Sequence, residues 1–244
     1  MAALSASDMI QVWELGQNRP LWYRALLLLS PAFPQVSHEE LSGLSIGRRN
    51  IRLFQLREQV FGSTMNARIN CPQCTEALEF AINIQDVFPS STEPAAEHYS
   101  TEIDGFEITF RLLDSHDFAI ASQHPPIHNT RNTLIHHCIL QAISNGKAIE
   151  ISDLPESVIT ALGDQLLDQD PLAELLLSLN CSNCGHAWSD NFDITAFLWS
   201  EVSARAQRLL EEVHTLARAY GWSEPHILKM TAARRQYYLQ KALE

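Results

Sequence analysis

The chain has 244 residues, 45% of them hydrophobic and 19% charged, with five cysteines and a formal net charge of −12. This balance describes a soluble globular protein long enough to bury a sizeable core, and it excludes a disordered or low-complexity chain. No run of about 18 apolar residues occurs, and no basic region followed by an apolar stretch opens the sequence, so neither a membrane span nor a signal peptide is expected and the expected compartment is the cytoplasm.

In chain order, the apolar spacing predicts a helix from Ser7 to Leu29, interrupted at Asn18-Arg19-Pro20, where Pro20 opens a second helix. "SPAFP" at Ser30–Pro34 breaks the pattern, and a further helix is expected from Ser45 to Phe61, ended by Gly62. The period then falls to two. "ARIN" leads into "CPQC", and Leu78, Phe80, Ile82 and Ile84 alternate with polar or small residues as a half-buried strand. Residues Val87–Ser100 are Pro/Ser-rich and polar, which predicts a disordered loop.

A second alternating strand covers Phe106–Leu112, and Ser115 is the expected N-cap of the short helix "HDFAIA". Beyond the "HPPIHNT" loop, "TLIHHCILQAIS" reads as helix, and Asn145-Gly146 is a turn. Helices are expected over Pro155–Leu167 and Pro171–Leu179, a long one from Ile194 to Gly221, and two short ones capped by Ser223 and Thr231. Three segments follow: an N-terminal helical part (1–65), a middle part (66–192) and a C-terminal helical part (193–244), expected to pack as one unit.

Chemistry concentrates in two Asn-Cys-x-x-Cys runs, "NCPQC" at Asn70–Cys74 and "NCSNC" at Asn180–Cys184. Each such turn aims two sulfurs at one point, and two turns facing each other supply the four thiolates of a closed tetrahedral Zn²⁺ site. The expected ligands are therefore Cys71, Cys74, Cys181 and Cys184. A redox dithiol would instead sit at a helix N-terminus after a strand, whereas these pairs are followed by a strand pattern or by Gly185. A compact zinc ribbon joins its pairs through roughly 15–20 residues. Here residues 75–180 intervene, so the ribbon must be split by an insert.

The expected fold is thus α+β and predominantly helical: a split four-cysteine zinc ribbon with a mixed α/β insert, flanked by N- and C-terminal helices. A closed site leaves no open position for substrate, which makes the metal structural. His186 is expected beside the ligands rather than among them. His136 and His137 point about 100° apart on a helix and cannot share an ion.

Residues 71–192 hold three Lys/Arg against eighteen Asp/Glu, which disfavours nucleic-acid binding there. The basic cluster Arg48, Arg49, Arg52 and Arg57 is expected to pair with the acidic body or with a protein. Arg234 and Arg235 beside Tyr237 and Tyr238 have a composition common at protein interfaces. Trp199, Tyr220 and Trp222 belong either to the protein's own core or to an interface; the core is expected for Trp199, and Trp222 is the better interface candidate of the three. No phosphate-binding, nucleophile-elbow or metalloprotease motif is present, so no enzymatic activity is expected.

Four stretches carry a family resemblance: "VWELGQNRPLWYRALLLLSPAFP", "IGRRNIRLFQLREQVFGSTMNARINCPQCTEALEF", "LNCSNCGHAWSDNFDITAFLWSEVSARAQRLLEEVH" and "LARAYGWSEPHILKMTAARRQYYL". They resemble baseplate proteins, or baseplate hub assembly chaperones, of contractile phage tails and related injection particles. In this chain Thr75 stands where the first pair would have its glycine. The resemblance implies a non-catalytic assembly factor with hub or spike proteins as partners, acting in the cytoplasm or associated with the particle. The alternatives are a permanent baseplate subunit and, from another class, a zinc-ribbon regulator that binds nucleic acid.

Overall fold

The computed structural model describes residues 1–87, 96–123 and 130–243. In chain order the elements are α1 (Ala6–Gly16), α2 (Leu21–Ala32), α3 (His38–Ser42), α4 (Ile46–Phe61), β1 (Thr64–Asn70), β2 (Ala77–Asn83) and the single turn α5 (Ile84–Val87). There follow β3 (Tyr99–Ile103), β4 (Phe106–Phe110), α6 (Ser115–Ala121), α7 (Thr130–Cys138), β5 (Ile139–Ser144), β6 (Lys147–Ala148) and α8 (Glu156–Gln169). The last elements are β7 (Leu176–Asn180), β8 (Ala187–Asn191), α9 (Ile194–Tyr220), α10 (Glu224–Leu228) and α11 (Ala232–Leu243). The architecture is mixed α+β with helices at both ends. It divides into two compact units, Met1–Ser37 with Ile194–Glu244, and His38–Asp193.

The first unit is helical. Ser5 and Asp8 form a reciprocal cap at the start of α1, satisfying two backbone donors that the first turn leaves over. Both α1 and α2 pack on α9, which contributes Leu198, Val202, Leu209 and Val213 to the buried side. Asn18 turns the chain between α1 and α2 at φ 57°. Gly16 lies so close to the Trp199 ring that a side chain there would collide with it. Arg24 caps the same corner, its Nε donating to the Gly16 carbonyl at 3.0 Å and its guanidinium 4.5 Å from the Trp199 ring centroid. Trp199, half-buried in the second turn of α9, is thus a packing residue. At the far end, Arg235 donates to Glu212 at 2.8 Å, an almost fully buried pair that fixes α11 to α9.

The second unit is built around the antiparallel sheet β3-β4-β5-β6. Its core joins Ile108, Phe110 and Ala142 from the sheet to Ile135 and Cys138 from α7, and to Val158, Ile159, Leu162 and Leu166 from α8. A register shift at Thr109/Phe110 lets the Arg111 N–H reach the Cys138 carbonyl at 2.9 Å. The Arg111 guanidinium then clamps Asp117 through two bonds of 2.8 and 2.7 Å. This fork geometry is the strong form of a charged pair.

Helix α4 belongs to this unit. The Gly47 N–H donates to the buried Asp170 carboxylate at 2.8 Å, and Asn50 Nδ2 donates to the Leu172 carbonyl at 2.8 Å. Two of the four clustered arginines turn inward. Arg49 sits beside Asp193 and Asp170, and burial lowers its pKa to about 10 against their attraction. Arg57 donates to the carbonyls of Gly62 and Thr64 at 2.6 and 2.8 Å, holding the turn into β1.

Several expectations are corrected. The apolar run after Asn132 is helical only to Cys138, and Ile139–Ser144 is strand β5, paired with the central β4. Residues 171–179 are not a helix: a single 3-10 turn, Pro171–Ala173, leads into strand β7. The cap of α6 is Asp114, whose carboxylate accepts from the His116 and Asp117 N–H groups, and Ser115 is already helical. The Val87–Ser100 loop ends earlier than expected, because β3 begins at Tyr99; its residues 88–95 lie outside the described residues, as does 124–129 of the "HPPIHNT" segment.

Candidate metal centre

Both cysteine pairs are built the same way. Strands β1 and β2 pair antiparallel with Asn70 opposite Ala77, and β7 and β8 pair with Asn180 opposite Ala187. At each hairpin tip the first cysteine's N–H donates to a carbonyl five residues on: Cys71 to Glu76 and Cys181 to His186, both at 2.8 Å. The fifth residue folds back in turn, Thr75 N–H to Cys71 and Gly185 N–H to Cys181, both at 2.9 Å. That closing residue needs a left-handed backbone. Gly185 has φ 73° and Thr75 has φ 62°. Glycine adopts this region at no steric cost, whereas threonine pays for its Cβ. The missing glycine therefore leaves the geometry of the first turn intact, at an energetic cost.

The two tips meet. The four sulfurs of Cys71, Cys74, Cys181 and Cys184 all lie within 4.8 Å of one another. Across the tips, Cys71 Sγ is 3.7 Å from Cys184 Sγ and Cys74 Sγ is 3.6 Å from Cys181 Sγ. A disulfide would bring sulfurs to about 2.05 Å. A regular tetrahedron of sulfurs at about 2.3 Å from a central ion has edges of about 3.8 Å. The spacing fits the second arrangement and can hold a metal ion. Cys71 and Cys181 are buried while Cys184 is exposed, so the cluster sits with one side towards water.

The His186 backbone N–H favours the Cys184 thiolate, but desolvation and the other three sulfurs outweigh it and hold that thiol up at about 12. Four thiolates at this spacing require a cation among them. Asn183 Nδ2 donates to Cys74 Sγ at 3.7 Å, a contact from one tip to the other tip's sulfur that sequence reading did not anticipate. The His186 ring stacks on Trp188 with centroids 5.8 Å apart, and it is not a member of the cluster. Among the described residues the four cysteines are the only such group, and His136 and His137 join none.

A family model described as T4 bacteriophage base plate protein matches residues 33–199, more than half of the chain and both hairpin tips. No curated protein and no solved structure matches. No helix among the described residues is long and apolar enough to cross a membrane.

Proposed function

The chain belongs to the T4 bacteriophage base plate protein family, and from that premise we propose that it is a non-enzymatic assembly factor for the baseplate hub of a contractile tail or tail-like injection particle, held in shape by one structural Zn²⁺. The carrying observation is the extent of the family match, which takes in both cysteine tips together with the insert between them. The chemistry of the donors supports the metal. Four thiolates in a tetrahedral set select Zn²⁺ or an iron centre, and with every position filled by protein the ion has no site for water or substrate. Its role is then to join the two ends of the segment 75–180, and the protein acts through its surfaces.

Co-expression with the hub and spike proteins of the same particle tests the assembly role. A soluble complex that forms during assembly and is absent from finished particles is the expected result. Stoichiometric retention in mature particles would instead make the chain a permanent baseplate subunit. Failure to bind either protein would remove the hub from the proposal.

A further inference from the structure

At the C-terminal end of the first unit, Val213, Leu216 and Ile227 are buried beneath Trp222, Leu228, Tyr238 and Leu239. The aromatic rings continue outward from this small core. Tyr220 stacks on Trp222 at 4.5 Å between centroids, Tyr238 meets Trp222 edge-on at 4.8 Å, and Tyr237 meets Tyr238 edge-on at 5.5 Å. The Tyr220 hydroxyl donates to the Tyr238 carbonyl at 3.3 Å, and the Arg234 guanidinium lies 5.8 Å from the Tyr238 ring centroid. The array is held in place from within, yet Tyr237 remains 58% exposed and Tyr220 36%.

The charge around it is one-sided. Between Val213 and Leu243 the chain carries Arg218, Lys229, Arg234, Arg235 and Lys241 against Glu224 alone. Arg235 is spent inward on Glu212. Among the described residues no ion pair joins a carboxylate to Arg218, Lys229 or Arg234. Rigid Tyr and Trp rings beside Arg are the side chains that dominate protein interfaces, because they offer large contact area with little rotamer entropy to lose. At physiological salt, charges farther than about 8 Å are largely screened, so the cations beside the rings set the charge that a docking segment meets.

We propose that the exposed rings and arginine of α9 and α11 form a docking surface for a protein segment rich in Asp and Glu, which lays an apolar side chain on Tyr237 and a carboxylate on Arg234. A nucleic-acid strand also offers negative charge and stacking rings. It needs an open ring face for successive bases, whereas Trp222 and Tyr238 already pack against neighbouring rings. The inference deepens the assembly reading by naming a surface and the charge of what binds it.

The test places the photo-crosslinker benzoylphenylalanine at position 237 of the full chain, in cells that make the whole particle, and sequences the adduct by mass spectrometry. The expected adduct is one protein segment in which Asp and Glu outnumber Lys and Arg. Its yield should fall about tenfold or more with Arg234→Glu and survive Arg234→Lys, with thermal midpoints unchanged. Lys229→Glu supplies an independent charge reversal should Arg234→Glu unfold. An adduct on nucleic acid, on a segment without excess acid, or on nothing would overturn the proposal, as would a yield indifferent to both charge reversals. An acidic segment from a protein outside the baseplate would uphold this surface while contradicting the assembly role.

Discussion

Thr75 and Gly185 occupy equivalent positions in the two cysteine tips and adopt the same left-handed backbone, so they are a matched pair for measuring what that backbone costs. Thr75→Gly should stabilise the metal-loaded protein by about 1 kcal/mol, and Gly185→Ala should destabilise it by about the same amount. Thermal or denaturant melts of the two variants check both signs; a Thr75→Gly variant of lower stability would show that the threonine side chain does something else there. Cys138 gives a second residue-level contrast. It is buried away from the cluster, and burial pushes its thiol up to about 12, with Asp117 adding to the rise and Arg111 opposing it. As a neutral thiol it should resist iodoacetamide at pH 8 in the folded protein and react once the chain unfolds, which peptide mass spectrometry can follow. The fifth cysteine was separable from the other four by sequence alone, since it lacks a C-x-x-C partner. The conformation of Thr75 was not, because nothing local in "CPQCT" marks a β-branched residue for a left-handed turn; its N–H closes the turn on the Cys71 carbonyl.

Among elements, the corner of α1, α2 and α9 depends on the absence of a side chain at Gly16. Gly16→Ala should cost about 1–3 kcal/mol by pushing its new methyl into the Trp199 ring. The penalty should shrink when Trp199 is replaced by Leu, and a double-mutant cycle by thermal unfolding reads that coupling. An equal cost in both backgrounds would rule out the steric cause. The long helices and the alternating strands β2 and β4 were legible from period alone. Strands β5 and β7 were not, and for different reasons. "ILQAIS" continues an apolar run that fits either period, and its pairing with the central β4, a contact distant in sequence, decides the outcome. For β7 the signal was blurred: Leu175, Leu177 and Leu179 are half-buried, but the exposed Leu176 between them hides the alternation in the sequence. The first cysteine tip is flanked by two strands, so the second needed two as well, and Pro171 drew the reading towards helix although it starts only one 3-10 turn. Strand β3 was hidden by a polar sequence, although Asp104-Gly105 marks the turn that joins it to β4.

For the whole molecule, the meeting of the two cysteine tips brings together the two ends of segment 75–180 within the second unit. Spacing in the sequence supplied the four cysteines that cluster and required a split ribbon. It could not supply the docking of α4, which reaches Asp170 and Leu172 across more than 100 residues through a glycine N–H and an asparagine amide. Bridging residues 75–180 through one ion removes loop entropy from the unfolded chain, an effect of about 4–5 kcal/mol for a loop of this length by analogy with a disulfide. The most direct test is metal content and sulfur coordination of the purified chain, by elemental analysis and X-ray absorption, for the native sequence and for Cys71→Ser and Cys184→Ser. One zinc per chain and four sulfurs at about 2.3 Å are expected, and in both variants loss of the metal with at least about 4 kcal/mol of stability. Zinc held in full by both variants, or a native protein that binds no metal and is indifferent to chelator, would contradict this expectation.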